Sequence, residues 1–297
     1  MPPADSYFVR LDEHRYRPTA LTGGAWAVNE QHISPMNGLI VHAVERFLAA
    51  RESASPTDGG SPTGNAAPNG GAPSNGASLS GGVFRGHSKL AISRISVDIL
   101  GVLTLDPFDI TVEVVRPGRT IELLEATVTS GGRPAARARV WRTTVQDTAS
   151  IAGGEAEPLT GPEGLNPWTM TDVWPGGYVA SLDVRPIGTV EPGRARAWVA
   201  TPATLVADEP ISDLARLIGL VDTANGLAVR RPPDEWLYPN VDLTIHLFRQ
   251  PQGAWLGLDT TVVFGPTGQG VTATALNDEQ GHCGYAHQDL TIRPRRS

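Results

Sequence analysis

His282, Cys283 and His287 stand close together near the end of this 297-residue chain, and imidazole and thiolate at such spacing would serve a metal ion or a cysteine nucleophile. Strand alternation puts Cys283 and His287 on one face and turns His282 to the other, with no third strong ligand nearby. No metal site is therefore expected, and the three read as ordinary strand residues. The usual signatures of covalent and nucleotide chemistry are absent: no G-x-S-x-G elbow, no G-x-x-x-x-G-K-[ST] loop and no G-x-G-x-x-G after a strand. GPTGQG at 265–270 has its glycines at other spacings and sits between two strands, as a hairpin turn does. Asp242 and Gln288 stand out instead. Asp242 follows Val241 and opens an alternating apolar run, which puts it inside a strand where an unpaired carboxylate is costly. Gln288 alternates with Ala286 and Leu290 on the last strand, the pattern of a buried amide. His32 and Asn37 flank the start of the first helix and are candidates for ligand contact, with capping or surface roles the simpler account.

The elements that would position these residues come in two similar sets. Ser34-Pro35 opens an apolar stripe at helical spacing through Met36, Ile40, Ala43, Val44 and Phe47, with Ser34 suited to the N-cap and Pro35 to the first helical position. Ser212-Asp213 opens a second stripe through Leu214, Leu217, Ile218 and Val221, stopped by Asn225-Gly226. Each helix is followed by alternating segments separated by turns: LAISRISVDIL, FDITVEVV, TIELLEATV and AARARVW in the first half, NVDLTIHLF, WLGLDTTVVF, VTATALN and HQDLTIR in the second. Ser34 to Asp98 spans 64 residues and Ser212 to Asp242 spans 30, and the difference of 34 is close to the 32 residues of a low-complexity segment at 51–82. Removing that segment brings the halves nearly into register, with Asp98 matching Asp242. The fold expected is α+β, a sheet wrapped around one helix, twice, with the two sheets joined edge to edge.

Composition supports this division. A chain of this length exceeds the usual single domain, and two units of about 130 residues are the natural reading. Residues 51–82 hold 8 Gly, 6 Ser and 4 Pro with Leu79 the only large aliphatic, so they read as a mobile surface insertion. The Gly, Pro and acidic content of VQDTASIAGGEAEPLTGPEGLNP reads as a linker, which gives an N-terminal domain at 1–146, a linker at 147–170 and a C-terminal domain at 171–297. A net charge of −7 argues against nucleic acid or an anionic membrane as partner, while leaving room for a small anionic ligand held by local arginines. No stretch is apolar for long enough to cross a bilayer, and the first residues lack the pattern of a secretory or transit signal, so a cytoplasmic location is expected. The single cysteine forms no intramolecular disulfide.

The stretches VDLTIHLFR, WLGLDTTVVFGPTGQG and GYAHQDLTIRP resemble the C-terminal half of the type II (TesB-like) acyl-CoA thioesterases, and GAW with HISPMNGLIVHAVERF resembles their N-terminal half. The resemblance implies a double-hotdog subunit that hydrolyses fatty acyl-CoA without a covalent intermediate or cofactor, with acyl-CoA as its partner and a homo-oligomer as its assembly. It also implies a site. Asp242 would be the base and Gln288 would position water, with a Thr or Ser between them. Ungapped alignment puts Val263 at the family's threonine, a departure that predicts modest turnover; Thr261 shares its strand face and would be the substitute hydroxyl. Gly38 is the candidate donor to a developing oxyanion, with Asn37, His32 and Val263 beside the substrate. Asp98 has no glutamine partner on the strand ending Arg139-Val140-Trp141, so the first half reads as a scaffold. Two other readings are a non-catalytic acyl or CoA-binding protein, and an acyl-CoA hydratase or dehydratase, whose D-x-N-P-x-H type motif is missing.

Overall fold

The computed structural model describes residues 5–24, 26–27, 29–54 and 90–296. The first half opens with strands β1 (Ser6–Arg10) and β2 (Arg15–Pro18), then helix α1 (Ile33–Ala54) and a meander of β3 (Leu90–Ile99), β4 (Phe108–Arg116), β5 (Ile121–Ser130) and β6 (Arg133–Thr144). The second half begins with a short helix α2 (Gly177–Ala180), β7 (Asp183–Pro186), β8 (Arg194–Ala200), β9 (Thr204–Val206), helices α3 (Asp213–Ile218) and α4 (Ala224–Leu227), and a two-residue strand β10 (Trp236–Leu237). Its meander is β11 (Asp242–Leu247), β12 (Leu256–Phe264), β13 (Gln269–Asp278) and β14 (Gly281–Thr291), and β15 (Arg293–Pro294) closes against β10.

The main sheet has 13 strands in the order β7-β8-β12-β13-β14-β11-β3-β6-β5-β4-β2-β1-β9. The halves meet where β11 pairs with β3, antiparallel, so each covers the edge the other would expose. This is the expected α+β tandem. Duplication shows in the strand bounds. Adding 148 to Phe108–Arg116 gives Leu256–Phe264, and adding 148 to Ile121–Ser130 gives Gln269–Asp278. The same shift corrects one expected equivalence: it matches Asp242 to Arg94 and Asp98 to His246, whereas Asp98 and Asp242 are cross-strand partners at the seam. The Val-Asp pairs coincide because they face one another, not because they repeat.

The helices depart most from their sequence reading. α1 starts at Ile33, two residues before Pro35, because the His32 ring nitrogen Nδ1 accepts from the Ser34 N–H at 3.1 Å and so takes the capping role given to Ser34. Its whole first half, Ser34 to Val44, is buried, so α1 is enclosed on all sides and is not a one-faced stripe. It continues through Arg51–Ala54, four residues of the expected insertion; 55–82 lie outside the described residues. Ser212 caps α3 as expected, accepting from the Ala215 N–H at 3.0 Å. The second helix then breaks at Gly219 into a 3-10 turn, Val221–Thr223, before α4. The break lies where the helices cross: a Cβ on Gly38 would come within 2.6 Å of the Ala215 carbonyl oxygen and 3.0 Å of the Gly219 Cα. The expected linker is no free connector either, for the Ala156 N–H donates to His282 and the Trp198 indole donates to the Thr160 carbonyl.

Candidate active site

The break in the second helix delivers Asp222 to the interior. It sits on the 3-10 turn and is 5% exposed, in a run of apolar neighbours that includes Leu220, Val221 and Ala224. Two amides meet one of its oxygens: Asn240 Nδ2 and Gln288 Nε2 each donate to Oδ1 at 2.7 Å. Gln288 comes from β14, where Ala286, Gln288 and Leu290 all point inward, and Asn240 comes from the segment entering β11. The second hydrogen of the Asn240 amide goes to the Asp242 carbonyl oxygen at 3.0 Å, which fixes that side chain's direction. Burial pushes the Asp222 carboxyl up to about 7; the Asn240 and Gln288 hydrogen bonds oppose the rise and the charge of Asp242 adds to it. The other oxygen, Oδ2, accepts no hydrogen bond from a described residue.

His32 completes the group. Its Nδ1 lies 3.9 Å from Asp222 Oδ2, yet the two are not an ion pair: Nδ1 already accepts from the Ser34 N–H, and burial holds the imidazole pKa down to about 3. The ring is therefore neutral with its proton on Nε2, stacked against Tyr178 at a centroid distance of 4.4 Å. Tyr178 is fixed in turn by Thr223, hydroxyl to hydroxyl, at 2.7 Å. A cavity of about 30 Å³ borders His32, Asp222, Asn240, Asn225 and Tyr178, with Trp26 and Trp174 also in its lining. That volume has room for one or two water molecules, and Asn225 Oδ1 is buried there without a hydrogen-bond partner among the described residues. A carboxyl raised by burial, an oriented pair of amides, a neutral imidazole and room for water form a general-base arrangement.

The profile of the acyl-CoA thioesterase C-terminal domain matches residues 162–292, and that of the N-terminal domain matches residues 22–143. The chain belongs to the acyl-CoA thioesterase family. Solved structures agree on the fold over nearly whole chains. A hot dog-fold protein of unknown function from Alicyclobacillus acidocaldarius gives a TM-score of 0.66 at 13% identity, covering 98% of both chains. The tesB protein of Mycobacterium avium subs paratuberculosis gives 0.61 at 13%, and the acyl-CoA thioesterase II TesB2 of Mycobacterium marinum gives 0.58 at 14%, each covering 97% of this chain and 96% of the other. No curated protein gives a significant match. The chain thus carries both domains of this family in one polypeptide, in a tandem hot dog fold.

Within this thioesterase fold the residues singled out from sequence fall into two groups. His32 and Gln288 come together at Asp222. Asp242 does not join them: it opens β11 half-buried, on the parity opposite to Leu243, which faces inward. Its carboxylate instead accepts from the Asp289 N–H at 2.6 Å and from Thr244 at 3.4 Å on the outer face. Thr261 is also on the outer face, where its hydroxyl accepts from Arg194 at 2.6 Å, and Val263 is 56% exposed near the end of β12. Gly38 lies in the second turn of α1, past the free amides of the helix start, and serves the close crossing with α3. Asn37 is fully buried and neither atom of its amide group has a hydrogen-bond partner among the described residues. Cys283 and His282 are buried strand residues, and no three-ligand metal cluster exists among the described residues. The residues that sequence reasoning passed over are Asp222 and Asn240.

Proposed function

We propose that this chain hydrolyses acyl-CoA thioesters by direct attack of water, with Asp222 as general base. The observation that carries the reading is the saturation of one Asp222 oxygen by two amides while the other stays open beside a water-sized cavity. Water bound at Oδ2 gives its proton to the carboxylate as its oxygen attacks the thioester carbon. The neutral His32, whose Nε2–H is its only donor, is the candidate to receive the oxyanion that forms. Collapse of the tetrahedral intermediate breaks the C–S bond, and the departing thiolate takes the proton back from Asp222, which regenerates the base and leaves a free carboxylic acid. A carboxyl at about 7 suits both transfers near neutral pH. Val263, exposed on the outer face, gives no ground for reading the chain as a non-catalytic binder. A cytoplasmic location and assembly into a homo-oligomer belong to the same proposal; no described helix is long and apolar enough to cross a membrane.

Thiol release from acyl-CoAs of graded chain length, followed with a thiol reagent, tests the reaction, and Asp222→Asn tests the base. Binding of acyl-CoA with no thiol release by the unmodified protein would overturn it.

A further inference from the structure

Asn225 lies one helical turn after Asp222, and the backbone between them is helical, with φ −62°, ψ −22° at Thr223 and φ −52°, ψ −45° at Ala224. A spacing of three residues on such backbone puts the two side chains on one face, and both border the cavity of about 30 Å³. Asn225 is 8% exposed. Its amide has one workable orientation: Nδ2 donates to the Tyr238 carbonyl at 3.1 Å, and turning the group over would set two oxygens against each other. Tyr238 is itself fully buried, and its hydroxyl donates to the Arg231 carbonyl at 3.0 Å. A helix stop at Asn225-Gly226 needs only backbone, and the tie to Tyr238 uses only the amide nitrogen. Oδ1 is left as a buried acceptor with no hydrogen-bond partner among the described residues, which is costly unless a donor enters from the cavity. Asp222 Oδ2 likewise accepts no hydrogen bond from a described residue. Two open acceptors on one water-sized space match the two hydrogens of a single water molecule.

We propose that Asn225 is a second catalytic residue of the hydrolysis, which orients the attacking water through Oδ1. This rests on the hydrolytic reading above. The water donates one hydrogen to Asp222 Oδ2 and the other to Asn225 Oδ1, so a lone pair on its oxygen points away from both, toward the thioester carbon. The first hydrogen passes to Asp222 as the C–O bond forms. The second stays on the same oxygen, held by Asn225, as the hydroxyl of the tetrahedral intermediate and then of the carboxylic acid. Without Oδ1 the water turns about its one remaining bond to Asp222, and fewer of its orientations can react.

The test removes the acceptor with Asn225→Val, which fills most of the space, and with Asn225→Ala, which leaves it open. Each should lower kcat on the best acyl-CoA of the graded series by about 10- to 100-fold with KM within about two-fold, as the loss of a group acting on the transition state does. The midpoint of the kcat–pH profile should stay in place in Asn225→Val, since the hydrogen bonds described for Asp222 come from Asn240 and Gln288. A residue that acted only by holding the Asp222 turn would move it. Hydroxylamine gives an independent readout: its nitrogen attacks the thioester carbon, the thiol leaves and a hydroxamic acid forms, and a stronger nucleophile depends less on being held. At one hydroxylamine concentration, with the uncatalysed reaction subtracted, the ratio of hydroxamate to free acid should rise in both variants. Turnover kept within about two-fold, a shifted midpoint, or a parallel fall in both products would overturn the role of Asn225 while leaving Asp222 as base. Failure of both variants to fold would overturn it too, by showing that the side chain serves the structure through Tyr238. If the unmodified protein releases no thiol, the hydrolytic reading fails as a whole and Asn225 with it.

Discussion

Asp222→Asn separates the chemistry of the site from its cost in stability, because the two should move in opposite directions. The carboxyl titrates near 7 in the fold against 3.8 for an ordinary aspartate. Its folded pKa is raised, so the folded protein keeps a proton that the unfolded chain has released between those values. Stability therefore falls as pH rises through that window and is fully reduced above about 7. A gap of about three pH units corresponds to at most about 4 kcal/mol at 1.36 kcal/mol per unit. Asparagine keeps an oxygen to accept from Asn240 and Gln288 but carries no charge to bury. The variant should gain on the unmodified protein by roughly 2–3 kcal/mol between pH 5 and pH 8, read as urea midpoints with m unchanged. Turnover should fall about 10²- to 10⁴-fold, with acyl-CoA binding retained. In the unmodified protein kcat should rise with pH to a plateau above about 7. A pH-independent stability difference would show that Asp222 is not the titrating buried group, and retained turnover would remove it as the base.

Gly38→Ala forces a Cβ to within 2.6 Å of the Ala215 carbonyl oxygen, so α1 and α3 must part; a loss of about 1–3 kcal/mol in the urea midpoint is expected, with turnover reduced as the Asp222 turn shifts. Val263→Thr, on the outer face, should leave kcat and KM within about two-fold, and a clear rise in kcat would restore the alignment-based site. Gln288→Leu removes one of the two donors to Asp222 Oδ1, so the midpoint of the kcat–pH profile should move upward, and an unmoved or lowered midpoint would contradict the amide's role.

Much of this architecture was legible because strand alternation is strong. The bounds of β12 and β13 follow from WLGLDTTVVF and VTATALN almost to the residue. β1, β2, β7, β8 and β9 were not, being short or carrying exposed arginines, as in RYRP and RARAWVA, that dilute the apolar period. The site was half legible. Alternation itself held the information that Asp242 and Gln288 oppose one another: Leu243, Ile245 and Leu247 share the inward parity on β11, as Ala286, Gln288 and Leu290 do on β14. Asp222 was hidden by the reading of residues 212–225 as one amphipathic helix; the lone carboxylate in LIGLVDTANGLAV, costly to bury without donors, was the clue. What no sequence pattern supplied was the crossing at Gly38 and Gly219.

The duplicated halves differ in what their sheets present to the interior. The 148-residue shift places Thr260, Thr272, Thr274 and Gln288 on Val112, Leu124, Ala126 and Val140. Leu124, Ala126 and Val140 are completely buried in the first half, where the polar contact between sheet and helix is the Arg51–Glu122 pair farther along β5. In the second half each equivalent is a buried polar group that needs a partner at a cost of about 1–3 kcal/mol if it finds none. Thr260 and Thr274 bond each other at 3.1 Å and Gln288 bonds Asp222, whereas the Thr272 hydroxyl, cross-strand from Gln288, has no partner among the described residues. The first half thus keeps a continuous 22-residue helix over a mainly apolar sheet face that ends in the Arg51–Glu122–Arg142 ion pairs. In the second half the helix is broken at the turn that carries Asp222, and the inner sheet face is polar where it meets that carboxylate.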